Sequence, residues 1–515
     1  MHTRQWAIVF FLFAFLLLPG IDHGIWRPDE PLVAGICSEM ARSGDYIVPH
    51  LNGTPFLEKP PLYYAVAAFA GKVFGVDWDV PYRLVSLLFG ALTILITFFM
   101  VSGKHGPVAG VMASAILASA WEFFWLSRWI QIDSALVFGV TLAMYAYLKL
   151  KETRMLRDAL LLGLALGIAF MAKGLVGPAI VAAAILADIL AKRDLRFILA
   201  IRPGAVVLFF LVPVCIWVIS LWQRGGWLFV REVIVVNNLM RFTGAAEGAA
   251  LGHQHGLLYY FEHFPLDFLP WTLLFIPAII ASVKQMRLDP YMSWFLGPFI
   301  LLLMASTKRA IYLVPLYPAA ACMIAQYLKE GITAKWETVL LKITWFIALA
   351  GVFVPFAGAF LGFPILGISM GMISLGGLFL IMRTPELRKT GLALPLVMCL
   401  ALSASTVVYY KYLQPQEDYL SFAREVVAEH PGEITILAPE EIFEGVLPFV
   451  SGKTYRVVSN PSEIHREGVY IWTDKQDKIL GVIRQSAEVA MLREQRIGNK
   501  MARLAHIIPG RQGQG

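Results

Sequence analysis

Charge is the first thing this chain lacks. Charged residues make up 15% of the sequence and apolar residues 58%, whereas a soluble globular domain carries about 25% charge. A water-soluble globular class is excluded. Cysteine is scarce as well. Cys215, Cys322 and Cys399 lie in hydrophobic runs and Cys37 stands alone, so neither a disulfide framework nor a thiolate metal site is indicated. No internal repeat is evident, which argues against the repeat-built transporter folds. The net charge of +7 is spread along the loops and does not form the concentrated basic face that nucleic acid requires.

What is present is a succession of apolar runs, each of roughly 20 residues and so long enough to cross about 30 Å of hydrocarbon. The fold class is therefore α-helical and polytopic, because a helix satisfies its own backbone polar groups where no water is at hand. Thirteen spans are expected, at 6–25, 81–102, 106–125, 129–148, 156–172, 174–191, 204–223, 266–283, 290–306, 310–328, 342–361, 365–382 and 391–411. The first lacks a small-residue cleavage site and reads as a retained helix. Lys and Arg crowd alternate connections: Lys149 to Arg157, Lys192 to Arg196, Lys284 and Arg287, Lys329 and Lys335, Arg383 to Lys389. The positive-inside rule puts these connections and the N-terminus in the cytoplasm. Loops 26–80 and 224–265 and the C-terminal region then share the outer face.

Two domains are expected, a transmembrane domain over 1–412 and a small soluble α/β domain over 413–515. The second has short β-like runs at 434–437, 455–458 and 469–473 alternating with helical stretches, and no nucleotide fingerprint, metal-ligand cluster or repeat. In the first outer loop, 29–43 reads as an amphipathic helix ended by Gly44, and 60–74 as a second helix apolar enough to lie in the membrane interface.

Close to span ends on the predicted outer face lie Asp29, Glu30, Glu58, Lys59, Arg128, Asp133, Lys173, Arg241, His253, His255, Lys308 and Arg309. Cations gathered there run against the positive-inside trend and suit an anion. Phosphate fits, since Lys offers a compact charge and Arg a bidentate fork. A neighbouring carboxylate can take a proton from an attacking hydroxyl. Each residue also has a plain structural role open to it. Asp29 can be an N-cap, Glu58 and Lys59 a solvated pair, Arg128 and Asp133 a structural ion pair, and Lys173 a snorkelling lysine. The functional reading rests on their convergence.

The stretch RPDE…EM…SGDYIVPHLNGTPFLEKPPLYY, followed by the arginine of PYRLVSLLFG, resembles the membrane-embedded GT-C glycosyltransferases. Within them it is most similar to the bacterial aminoarabinose transferases of lipid A and their relatives in the protein-mannosyltransferase superfamily. SRWIQID, FMAKGLVGP, NLMRF, HQHGLLYYFEHFPLDFLPW and STKRAIYLVPLYP continue the resemblance in order, over residues 27–318. It implies a polyprenyl-phosphate-linked sugar donor, used on the outer face of the bacterial inner membrane, and a lipid or glycan acceptor, lipid A or a related glycolipid first. It also implies roles for single residues. Asp29 becomes the catalytic carboxylate and Asp133 a second acidic group in the cavity. Lys59 and Arg241 hold the lipid phosphate. Glu30, Arg128, Lys173, Lys308 and Tyr312, all in matched motifs, fall to substrate or phosphate binding. Glu58 with His253 matches a divalent-metal site of some members, suited to zinc; the sequence itself requires no cofactor. Relatives carry a tyrosine shortly after the Asp-Glu pair, where this chain has Pro31, Leu32 and Val33. Alternatives are a protein or other glycan as acceptor, or a lipid or sugar flippase, whose charges would be expected nearer mid-bilayer.

Overall fold

The structure is a computed structural model that describes residues 17–26, 29–194, 197–240, 255–284, 289–332, 334–437, 441–474 and 477–510. The chain forms two compact units. One holds Met1–Gly20, Leu57–Tyr63 and Ser86–Tyr409; the other holds Ile21–Phe56, Tyr64–Val85 and Tyr410–Gly515.

The first unit is helical. Among the described residues seven helices are long and apolar enough to cross a membrane, or eight if one bent pair counts as a single span. They are Val80–His105, Asp133–Thr153, Pro203–Asn238, Ala310–Glu330, Lys335–Ala359, Pro364–Arg383 and Ala393–Glu417. Helices also occupy Leu156–Lys173, Val176–Lys192 and Pro290–Met304, shorter or more charged at their ends. The expected first span, 6–25, lies outside the described residues up to residue 16. Two spans expected as single rods are broken. The run 106–125 divides into Pro107–Ala118 and Trp121–Leu126, with the Ser119 hydroxyl donating to the Ala115 carbonyl at 2.6 Å where the first helix ends. The run 266–283 becomes Tyr259–Asp267 and Thr272–Lys284 at 114°, because Pro270 bars the residue before it from helical geometry. The expected loop from 224 starts later. The helix Pro203–Val230 kinks at Gly226 (φ 63°) and then runs on as a π-helix over Arg231–Met240.

Burial separates two kinds of span. In the most apolar windows of Pro203–Asn238, Lys335–Ala359 and Pro364–Arg383 only 22%, 22% and 17% of residues are buried, against 83% in Ala310–Glu330. Apolar surface on that scale, including Phe346, Phe360 and Ile365, is tolerated against hydrocarbon and not against water. This is a multi-pass membrane protein. Inside, small residues let backbones close up. A Cβ added at Gly139 would stand 2.8 Å from Ala169 Cα, and one at Gly177 2.6 Å from the Ala169 carbonyl, so three successive helices meet around Ala169.

In the second unit the helix Asp29–Ser43 stops at Gly44 (φ +73°). A short hairpin follows, β1 (His50–Leu51) with β2 (Thr54–Pro55), turned by Asn52 and Gly53, both at positive φ. That is the Asn-Gly pairing a two-residue hairpin favours. The Asn52 side chain grips Tyr455, donating to its carbonyl at 2.8 Å and accepting from its N–H at 2.7 Å. Helix Asp29–Ser43 crosses helix Glu441–Ser451 at two glycines, where a Cβ on Gly35 would lie 2.5 Å from Gly445 Cα. Arg42 then donates to the carbonyls of Pro448 (3.0 Å) and Phe449 (2.8 Å).

The rest of this unit is a mixed sheet. β3 (Ile434–Leu437), β4 (Arg456–Val458), β5 (Gly468–Asp474), β6 (Ala487–Ile497) and β7 (Lys500–Pro509) lie in the order β4-β3-β5-β7-β6. The pairs β3–β4 and β3–β5 are parallel, β5–β7 and β6–β7 antiparallel, with a register shift between Met491 and Arg493. Trp472, Ile483, Leu480 and Ile507 form its core. The three expected strand runs appear as β3, β4 and β5; the β6–β7 hairpin was not expected.

Candidate functional site

In the first unit the site is assembled from the ends of helices. Asp133 begins the helix Asp133–Thr153, and Lys173 ends the next one, Leu156–Lys173. Two antiparallel helices of 21 and 18 residues return the chain to the level at which it started. An anion at a helix N-terminus and a cation at a C-terminus each complement the macrodipole. Here they also meet: Lys173 Nζ donates to Asp133 Oδ1 at 2.5 Å, both side chains buried. The same ammonium lies 4.6 Å from the centroid of the Tyr312 ring, a cation–π contact. Tyr312 is presented by the 3-10 helix Ala310–Leu316.

Lys59 comes from the loop. Pro60 keeps it extended, so it cannot join the helix Leu62–Phe74 that follows. Tyr63 fixes the loop in this unit, with its hydroxyl 2.7 Å from Ser86 Oγ and accepting from the Gln131 N–H at 3.2 Å. Lys59 Nζ donates to the Glu58 carbonyl at 3.2 Å and lies 3.7 Å from the Glu58 carboxylate.

Lys59, Lys173, Tyr312, Asn237, Asn238 and Thr307 supply the polar lining of a cavity of about 450 Å³, and Leu175, Val176, Pro178, Ala179, Ala182, Leu302 and Ala305 complete its walls. Two ammonium groups thus stand beside apolar walls in one cavity. The π-helix places the two asparagines. Asn237 Nδ2 donates to the Leu57 carbonyl at 3.4 Å, the Glu232 carbonyl at 3.2 Å and Glu232 Oε1 at 3.3 Å. Asn238 Oδ1 accepts from the Leu175 N–H at 2.8 Å. Gly174 (φ +73°) turns the chain directly under Asn238, leaving no room for a Cβ.

Other residues marked by the sequence fall elsewhere. Asp133 meets Lys173, while the Arg128 guanidinium donates to the carbonyls of Pro19 (3.2 Å) and Phe124 (2.7 Å) and lies 3.3 Å from the centroid of the Phe124 ring. Lys308 is buried and donates to the carbonyls of Ala305 (2.5 Å) and His255 (3.3 Å), tying the end of helix Pro290–Met304 to the segment at His255. In the second unit Glu30 is buried, accepting from the Trp26 N–H at 3.0 Å and from Arg83 Nε at 3.3 Å. Arg83 also pairs with Asp79 and donates to the Gly24 carbonyl at 2.8 Å. That network secures the start of the loop, and Glu30 is a part of it. Asp29, half-buried, stands at the first position of its helix. Arg241 and His253 lie outside the described residues. So the zinc reading retains Glu58, whose carboxylate faces the Lys59 ammonium. Among the described residues no group of three or more His, Cys, Asp or Glu is placed to hold a metal.

Sequence reasoning missed Asn237 and Asn238. The signal was a polar pair closing the apolar run Val233–Val236, just before the arginine of the NLMRF motif.

Comparison with known proteins bears on this arrangement. The family model described as dolichyl-phosphate-mannose-protein mannosyltransferase matches residues 58–217. An undecaprenyl phosphate-α-4-amino-4-deoxy-L-arabinose arabinosyl transferase of Edwardsiella ictaluri is 29% identical over 334 residues, 63% of this chain and 59% of that protein. An uncharacterized protein of Aquifex aeolicus is 30% identical over 330 residues, 63% of this chain and 72% of its own length. Among solved structures, ArnT from Cupriavidus metallidurans bound to undecaprenyl phosphate superposes with a TM-score of 0.76 over 98% of both chains, at 17% identity; that likeness is one of fold. The match spans about three fifths of the arabinosyl transferases, 59% and 60% in the first two. The chain belongs to the superfamily of GT-C membrane glycosyltransferases that holds the bacterial aminoarabinose transferases and the protein mannosyltransferases.

Proposed function

We propose that the protein transfers a sugar from a polyprenyl-phosphate donor to an acceptor of the bacterial envelope, lipid A or a related glycolipid, at the outer face of the inner membrane. The observation that carries this reading is the cavity in which Lys59 and Lys173 stand beside apolar walls. A lipid phosphate has that same division into anion and hydrocarbon. Similarity to transferases named for undecaprenyl phosphate-linked aminoarabinose supports it further. The thirteen-span layout with a C-terminal domain on the outer side belongs to the same proposal.

In this mechanism the donor enters sideways from the bilayer. Lys59, with Arg241, pins its phosphate. Lys173 adds a second positive charge, oriented by Asp133 and Tyr312, so that Asp133 is a positioning residue. Asp29 takes the proton from the acceptor's nucleophilic oxygen as that oxygen bonds to the anomeric carbon. The bond from that carbon to the phosphate oxygen breaks and the lipid phosphate leaves with its electron pair. Charge developing on the departing phosphate is met by fixed cations, a contribution we expect to exceed proton removal alone. A protein acceptor is the second reading, favoured by the family model's match to protein mannosyltransferases over residues 58–217.

The test is transfer from radiolabelled undecaprenyl-phosphate sugars by the purified protein, with mass spectrometry of envelope lipids from a deletion strain to identify the acceptor. Asp29→Asn should abolish turnover while donor binding and thermal stability stay near wild type. Near-normal turnover by that variant would remove Asp29 from the chemistry.

A further inference from the structure

Asn237, which lines the Lys59 cavity, carries a side-chain atom that has no hydrogen-bond partner among the described residues. Asn237 is 7% exposed, and its Oδ1 is buried with no hydrogen-bond partner among the described residues. The amide cannot simply be turned over. Its nitrogen faces three acceptors, the carbonyls of Leu57 and Glu232 and Glu232 Oε1, and an oxygen put in that place would be repelled by all three. A buried carbonyl oxygen without a donor has lost its water and gained nothing in exchange, and such atoms in a native site call for a ligand or a water. The neighbouring Asn238 is the internal control, since its own Oδ1 is satisfied by the Leu175 N–H.

The chemistry of the missing group follows from the site. An amide oxygen needs an N–H or O–H. The phosphodiester of a lipid-linked sugar has neither, and its charge is suited to Lys59 and Lys173, which line the same cavity. The sugar has both kinds of donor in its hydroxyl and amino substituents. The geometry points to Asn237 as a specificity residue for the donor, accepting a hydrogen bond from a hydroxyl or amino group of the sugar next to the phosphate. This rests on the reading of the cavity as a lipid-phosphate site.

The test separates sugar from phosphate. Two kinds of lipid are compared on the full-length protein in detergent: a short-chain polyprenyl phosphate as a competitive inhibitor, and its hexosyl or aminopentosyl phosphodiester as the donor. Asn237→Ala should raise KM for the preferred ester about tenfold, the scale of one neutral hydrogen bond, while Ki for the sugar-free phosphate stays within about twofold. Asn237→Asp, which sets a carboxylate against three acceptors and near the phosphate, should weaken both lipids. If Asn237→Ala weakens both equally, its role is to hold the loop, and the inference is overturned; it is overturned also if neither constant moves. Should the wild-type protein bind neither lipid, the donor reading fails and takes the inference with it. An unchanged Ki for the phosphate in Asn237→Ala shows at the same time that the variant is folded.

Discussion

Lys173 has four carbons of stem and an ammonium held between a carboxylate and an aromatic ring. Removing one member of a buried pair strands the other, typically at about 3–5 kcal/mol, whereas replacing both by apolar groups of similar volume is often close to neutral. Lys173→Met and Asp133→Leu should each lower the melting temperature of the purified protein by several degrees. The double variant should recover most of that loss without recovering transfer. Recovery of both would mean the pair serves only the fold. At this scale the sequence was informative about residue type and less so about partner. Asp133 was open to pairing with Arg128, five positions away; its actual partner is Lys173, forty positions on. Only the return of an antiparallel helix brings them together, and the lengths of two helices are not read from either residue alone. Glu30 illustrates the same difficulty. Beside Asp29 it looked like half of an acidic pair, and nothing local announces that Arg83 will bury it.

At the scale of elements, the twelve later hydrophobic runs came out helical, two of them as broken pairs, because a helix is the economical conformation of an apolar stretch in a membrane. What was not legible was where helices break. The 114° bend before Thr272 and the π-helical turn over Arg231–Met240 depend on tertiary context. The β6–β7 hairpin escaped for another reason. AEVAMLREQRI is rich in residues with good helix propensity, and its strand character lies only in an alternation of half-buried and exposed positions along β6. The crossing of helices Asp29–Ser43 and Glu441–Ser451 gives a prediction at this scale. At Gly445 a Cβ would overlap the Pro31 carbonyl, and backbone cannot yield as a side chain does. Gly445→Val should destabilise the second unit by about 1–3 kcal/mol or more, as overpacking does, seen as earlier proteolysis of the C-terminal segment. A variant with wild-type protease resistance would place the crossing elsewhere.

The whole molecule divides its apolar surface between two solvents. Pro203–Asn238, Lys335–Ala359 and Pro364–Arg383 leave most of their apolar windows unburied, as contact with lipid allows, while Ala310–Glu330 is mostly buried and brings Tyr312 to Lys59 and Lys173. A protein that moved a charged headgroup across the membrane would need polar groups along the path. In the first unit the cavity that has been described has its ionisable groups at helix ends, which suits chemistry beside the membrane. The account therefore depends most on Lys59 as the cation that holds a lipid phosphate. Proteoliposomes containing labelled undecaprenyl-phosphate sugar provide the direct measurement, comparing wild type with Lys59→Ala at limiting and at high donor. We predict that wild type cleaves the donor and passes the sugar on, and that Lys59→Ala loses at least tenfold in kcat/KM, mostly through donor KM. Donor dependence identical in the two proteins, or movement of intact donor across the bilayer without cleavage, would contradict the account.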